Sequence, residues 1–229
     1  MVYLVPSFLS PDAIDTIPAS VLPAINNSQV IFAENERTAR RFLKSLSKEI
    51  VIDKFEWFTI HKAEQAQVET FRKKIKENKN IAIISEAGCP GIADPGQILV
   101  REAQKLKVVV KPLTGPSSII LALMASGLNG QKFCFNGYLP IDNVERNKKI
   151  KQLEEESIKS ETTQVFIETP FRNNKMLEAL LKNCRPSTHL CIAVDITSSN
   201  ESIQTRTVME WRIDQPDLNK RPTIFLFLG

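Results

Sequence analysis

The densest group of chemically suggestive residues is Ser85-Glu86-Ala87-Gly88-Cys89-Pro90-Gly91-Ile92-Ala93-Asp94-Pro95-Gly96, which follows the apolar run Ile81-Ala82-Ile83-Ile84 directly. It holds three of the chain's eight glycines, two prolines and two carboxylates. A buried strand that ends in such a loop can bring backbone N–H and C=O groups close to a ligand, and open α/β sheets bind ligands at this end of their strands. Pro112-Leu113-Thr114-Gly115-Pro116-Ser117-Ser118 is a second turn-rich segment, and Glu168-Thr169-Pro170 a third polar break after an apolar run. Together they offer backbone groups, small side chains and few charges, which suits an adenosine-bearing cofactor. Phosphate-binding patterns are missing: neither Gly-x-x-x-x-Gly-Lys-Ser/Thr nor Gly-x-Gly-x-x-Gly occurs. The competing reading of 85–96 is a βα connection whose glycines and prolines serve turn geometry alone. Its length argues for a site, because long irregular loops inside compact domains are usually functional. Glu86 and Asp94 can bind ribose hydroxyls or brace the loop, and Asp94, just before Pro95, also reads as a cap.

Composition narrows the chemistry further. The 229 residues are 42% hydrophobic and 24% charged, enough for one large domain or two smaller ones with real cores. Four cysteines without Cys-x-x-Cys spacing and two histidines support neither a disulfide framework nor a zinc site, so no metal is expected. No apolar run approaches the roughly 20 residues that span a bilayer, and no basic segment precedes an apolar stretch at the N-terminus. A cytoplasmic protein with no membrane partner is the expectation. Net charge is +4. Arg37, Arg40, Arg41, Lys44 and Lys48 fall in a stretch without acidic residues, able to meet phosphate or to form a solvated helix face. Glu145 to Glu161 carries five charges of each sign, which cancel.

These loops need a frame. Val2-Tyr3-Leu4-Val5, Gln29 to Ala33, residues 80–85 and Val108-Val109-Val110 read as buried strands. Between them lie helical patterns: Ala39, Phe42, Leu43 and Leu46 recur at helical spacing, a helix is expected over about Lys62 to Glu77, and another over Gln97 to Lys105. This half alternates as a parallel sheet does. Ser117 or Ser118 can cap a helix through Ser126-Gly127. The second half has helices at about Val144–Lys159 and Asn173–Leu181, and strands at Gln164–Ile167, His189–Val194, Ser202–Trp211 and Thr223–Leu228, a mixed and partly antiparallel sheet. The expected domains are residues 1–113 and 114–229.

The 85–96 loop closely resembles the signature loop of the tetrapyrrole methylase family, class III S-adenosylmethionine-dependent methyltransferases. Further blocks keep the same order: Ala33-Glu34-Asn35-Glu36-Arg37-Thr38-Ala39-Arg40-Arg41, Thr114 to Ser118, Ser126-Gly127-Leu128, Phe133 to Pro140, and Glu168-Thr169-Pro170-Phe171-Arg172. They are most similar to the branch that 2′-O-methylates a cytidine of small-subunit ribosomal RNA. The resemblance implies two α/β domains, each around a roughly five-stranded mixed sheet, with S-adenosyl-L-methionine in the cleft between them, in a homodimer. It places the cofactor contacts at Pro6, Glu86, Ala87, Gly88, Cys89, Asp94, Ser117, Ser118, Ile167, Glu168 and Thr169, with Glu86 where the family usually has Asp.

Methyl transfer from a sulfonium is mostly a matter of alignment and exclusion of water, though a heteroatom acceptor can need a base. Glu36 and His61 are the candidates, lying in segments that resemble substrate-facing loops. His61 also reads as a surface or helix-capping residue. Arg37 can bind a substrate phosphate or pair with Glu34 or Glu36, and Trp57 and Phe58 can stack on a base or belong to the core. The first loop, Pro6 to Pro11, lacks the Gly-Asn of the ribosomal RNA branch. Val194 to Ser199 replaces its Glu-Leu-Thr-Lys, and the chain stops before the small C-terminal helical extension of longer relatives. An RNA methyltransferase is the first reading. A methyltransferase of the same fold acting on a tetrapyrrole or other small metabolite is the second, and a non-catalytic cofactor-binding protein the third.

Overall fold

In a computed structural model that describes residues 1–60 and 64–229, the chain divides between Ser117 and Ser118 into two compact units. The turn-rich segment before the division stays with the first unit: the Leu113 amide donates to the Leu4 carbonyl at 3.0 Å, and the Cys89 thiol points to the Pro116 carbonyl at 3.4 Å.

The first unit carries a five-stranded sheet of β1 (Val2–Val5), β2 (Val30–Ala33), β3 (Glu56–Thr59), β4 (Ile81–Ile84) and β5 (Val110–Pro112), ordered β3-β2-β4-β1-β5. Every pairing in it is parallel, because each strand is followed by a crossover that returns the chain to the end of the sheet where the strand began. Mixed strand directions are therefore confined to the second sheet. β2 and β4 are continuous apolar runs and buried throughout, as central strands covered on both faces must be. Alternate residues feed two separate clusters. Val5, Ile31 and Ile84 pack with Phe42 and Leu43 on one face, and Val2, Phe32 and Ile83 with Phe71 and Leu99 on the other.

The helices are α1 (Val21–Asn26), α2 (Glu36–Leu46), α3 (Val68–Lys76) and α4 (Gln97–Lys105). α2 starts at Asn35, whose side-chain oxygen accepts the amides of Arg37 and Thr38 and so satisfies donors the helix leaves open. α3 follows a short 3-10 turn at Gln65–Gln67, later than the Lys62 start expected; Lys62 and Ala63 lie outside the described residues. β5 begins at Val110, not Val108, since Val109 is exposed and only its carbonyl meets the sheet, accepting from the Val2 amide. It continues to Pro112, tolerated because β5 is an edge strand.

In the sequence β3 shows only as part of the aromatic run Phe55-Glu56-Trp57-Phe58. Phe58 stacks on Phe32 at 5.1 Å and the Trp57 indole donates to the Ile52 carbonyl at 3.2 Å. Both rings therefore serve the fold of the unit.

The second unit holds β6 (Phe133–Tyr138), β7 (Thr163–Ile167), β8 (His189–Val194), β9 (Ser202–Thr207) and β10 (Thr223–Leu228), ordered β6-β7-β10-β8-β9. β6 runs parallel to β7 and the other pairings are antiparallel. Its helices are α5 (Ser118–Ser126), α6 (Asn143–Ser160), α7 (Asn173–Asn183) and α8 (Val208–Ile213). The strand expected over Ser202–Trp211 is corrected here: it ends at Thr207, where a reciprocal cap starts α8. The Thr207 hydroxyl takes the Glu210 amide and the Glu210 carboxylate takes the Thr207 amide. α8 then buries Val208 and Trp211, whose indole donates to the Leu190 carbonyl at 2.8 Å. Among the described residues no helix is long and apolar enough to cross a membrane.

Candidate functional site

The loop at 85–96 is tied down from two directions in the first unit. Ser7 and Gly88 exchange backbone hydrogen bonds at 2.9 and 3.1 Å, and the Ser7 hydroxyl donates to the Ser85 carbonyl at 3.1 Å. The loop after β1 and the loop after β4 thereby become one layer over the ends of the strands. From the other side, the Glu86 amide donates to the Glu34 carboxylate at 2.9 Å, and the Thr38 hydroxyl donates to the Glu86 carboxylate at 3.2 Å. Glu86 thus braces the loop against the start of α2.

Gly88 adopts φ +72°, and a Cβ there would reach Leu9 Cδ2 at 3.4 Å and the Pro116 carbonyl at 3.5 Å. Those are ordinary contact distances, so it is the left-handed backbone, rather than a lack of room, that calls for glycine where the three loops meet. Ala93 takes φ +62° without being glycine, a backbone strain of the kind found at ligand sites.

Three carboxylates set the charge of this layer. Asp94 is half-buried and, among the described residues, accepts no hydrogen bond, so it neither caps nor braces the loop. Burial, with the charges of Glu34 and Glu86, pushes its pKa up to about 7. Burial and then Asp94 also raise the Cys89 thiol above its usual range. The layer therefore favours a cationic ligand and disfavours phosphate.

The other sequence-derived positions fall as follows. Pro6 is buried against Gly115. Ala87 is exposed in the loop. Ser117 ends the first unit and Ser118 opens α5 in the second, both half-buried with no side-chain hydrogen bond among the described residues. In the second unit Ile167 ends β7 and Glu168 follows, its carboxylate buried and accepting from the Thr169 amide at 2.6 Å and from Arg172 at 2.8 Å. Arg172 also donates to the Thr169 hydroxyl at 3.2 Å. This turn holds itself together and presents Phe171 to solvent.

Glu36 forms an ion pair with Arg40 at 2.6 Å. Arg37 is exposed with no ion pair among the described residues. His61 lies outside the described residues. The basic stretch on α2 is sorted: Arg40 turns to Glu36 and the Trp57 ring, and Lys44 donates to the Lys48 carbonyl. Arg37 and Arg41 remain, one turn apart. Arg41 borders a cavity of about 390 Å³ with Phe8, Leu9, Phe42, Thr38 and Glu86.

Sequence reasoning did not single out Ser7, Thr38 or Glu34 as parts of this layer. Their signal was positional, since each lies within a few residues of a strand's C-terminal end. Among the described residues no group of three or more His, Cys, Asp or Glu is placed to hold a metal ion.

Residues 2–211 match the family of tetrapyrrole (corrin/porphyrin) methylases. The chain belongs to this family. The ribosomal RNA small subunit methyltransferase I of Haemophilus influenzae is 32% identical over 177 residues, covering 76% of the chain and 61% of the relative. The chain thus spans about three fifths of the length of this curated relative. Among solved structures, the methyltransferase CobJ aligns over 100% of the chain and 93% of its own length, with a TM-score of 0.67 and 16% identity. A uroporphyrin-III C-methyltransferase from Thermus thermophilus, complexed with S-adenosyl homocysteine, covers 100% of the chain and 97% of its own length, with a TM-score of 0.60 and 13% identity. At such identities these structures show a shared methylase fold. The 85–96 loop, the α2 start and the Glu168 turn all fall inside the matched family region.

Proposed function

We propose that the chain is an S-adenosyl-L-methionine-dependent methyltransferase acting on RNA, with a ribose 2′-hydroxyl of small-subunit ribosomal RNA as acceptor, working as a cytoplasmic homodimer. The observation that carries the donor is the anionic loop layer. Glu34, Glu86 and Asp94 suit a ligand that bears a sulfonium and an ammonium and would repel a nucleotide triphosphate. Small-subunit ribosomal RNA as substrate rests on the named relative, and the ribose 2′-hydroxyl on the resemblance of the motif blocks.

In this reading Pro6, Glu86, Ala87, Gly88, Cys89, Asp94, Ser117, Ser118, Ile167, Glu168 and Thr169 hold the cofactor, the last three through backbone groups because Arg172 occupies the side chains of Glu168 and Thr169. When bound, the cofactor supplies an electrophilic methyl. The chain's own work is to fix the loops through the Ser7–Gly88 exchange, exclude water and leave Asp94 ionised beside the positive charge. A hydroxyl acceptor has to give up its proton; Glu36 and His61 are the proposed takers and Arg37 the phosphate contact.

A second reading, methylation of a small metabolite, is favoured by the cavity of about 390 Å³ with Phe8, Leu9 and Phe42 on its walls, a size that suits a small molecule. The deciding experiment incubates the protein with methyl-labelled cofactor and, separately, total RNA, small metabolites and protein. Label in RNA is the expected result. Label only among small metabolites selects the second reading, and label in none of the three overturns both.

A further inference from the structure

A groove of about 370 Å³ runs between α6 and α7 in the second unit, bordered by Asn143, Arg146 and Asn147 on one side and Lys175, Glu178 and Lys182 on the other. Arg146 is 8% exposed. Its guanidinium donates to the Ile141 carbonyl at 3.2 Å and the Asn143 side-chain oxygen at 2.6 Å, both neutral, and its Nε is buried without a partner. Among the described residues no carboxylate lies within ion-pair distance of it. A buried cation without a counter-charge is costly, and a ligand can supply the missing anion.

The rest of the lining agrees. Lys175 and Lys182 lie seven residues apart on one face of α7, exposed and without an ion pair among the described residues. The Asn183 amide donates to the Ala179 carbonyl and to the Asn147 oxygen, which fixes the Asn147 orientation. The oxygens of Asn143 and Asn147 are therefore occupied, and both offer their NH2 groups. Three cations face one carboxylate, Glu178. The charges of Glu145 to Glu161 cancel along the sequence, yet folding sorts Arg146 into this groove.

Resting on the RNA reading above, we propose that the α6–α7 groove is a phosphodiester-binding site that holds the backbone of the substrate RNA. Phosphate contacts position a nucleic acid and give binding its salt dependence. The test measures anisotropy of a fluorescein-labelled single-stranded RNA of about 20 nucleotides, titrated with wild-type protein or with Lys175→Ala/Lys182→Ala, from about 50 to about 200 mM KCl. The double variant should bind about tenfold more weakly and lose about 1.4 from the slope of log affinity against log salt, some 0.7 per lost contact. Glu178→Gln should bind the same RNA about twofold to threefold more tightly, a gain that misfolding cannot mimic.

Wild-type methylation of RNA with unchanged affinity and slope in the lysine variant overturns the groove and leaves the RNA reading standing. A wild type that neither binds nor methylates RNA overturns that reading and the groove with it. Inorganic phosphate, added as competitor, separates the sources. Phosphate binding that depends on Lys175 and Lys182 while RNA binding does not would make the groove a free-anion site and overturn the assignment to RNA.

Discussion

Gly115 lies so close to Pro6 that a Cβ on it would stand 2.1 Å from the Pro6 Cβ and 2.3 Å from its Cγ. The contact seals the loop after β5 to the loop after β1, two of the four loops proposed to hold the cofactor.

Gly115→Ala must push one of these loops aside. It should cost about 1–3 kcal/mol of stability, the range for overpacking a close contact, and weaken S-adenosylmethionine binding. Thermal melting and calorimetric titration read the two effects, and an unchanged melting temperature would contradict the tight packing.

The Asp94 pKa of about 7, against an ordinary 3.8, makes the ligand-free protein pH-sensitive. The folded chain keeps a proton that the unfolded chain releases, so this contribution to stability is full below about pH 4 and is lost as pH rises to about 7. Asp94→Asn should flatten that slope in denaturant titrations at a series of pH values. Affinity for the cationic cofactor should run the other way, rising from about pH 6 to about pH 8 as Asp94 ionises, and this rise should vanish in the same variant.

The Cys89 thiol, raised by burial and by Asp94, should stay protonated at neutral pH and react slowly. Iodoacetamide at about pH 7.5 should modify exposed Cys134 first and Cys89 much later, while Cys184 and Cys191, both buried, stay unmodified in the native protein. Peptide mass mapping gives the order, and added cofactor should slow Cys89 further.

Thr207→Ala removes one half of the reciprocal cap on α8 and should destabilise the protein by about 1 kcal/mol. Chemical denaturation measures it. Cofactor affinity should not change, since the Thr207–Glu210 pair is not among the proposed cofactor contacts.

Arg37→Ala should raise KM for RNA severalfold and leave cofactor affinity unchanged, because this exposed guanidinium makes no ion pair among the described residues. A fall in kcat alone would assign Arg37 a role other than phosphate contact.

The elements legible in the sequence are those whose cause is local. Ile81 to Ile84 is apolar at every position because it is covered on both faces, and the glycines and prolines after it mark the loop. Asn35 and the spacing of Ala39, Phe42 and Leu43 announce α2. Thr207 and Glu210 also carried a local signal, which a strand-like run of Ile203, Thr205 and Thr207 obscured. β3 was hidden because Glu56-Trp57-Phe58-Thr59 becomes a strand only by pairing with Val30 to Ala33.

What only the tertiary structure decided depends on residues far apart in the chain. The Ser7–Gly88 exchange, the Gly115–Pro6 contact and the coupling of Asp94 to Glu34 and Glu86 arise because a parallel sheet gathers the C-terminal ends of distant strands at one edge. In the second unit Arg146 lost any carboxylate partner for the same kind of reason. Sequence order set five charges of each sign on and beside α6, but packing chose which were buried: Glu154, which accepts from Arg185 and Thr188, and Arg146, which has no carboxylate within ion-pair distance among the described residues.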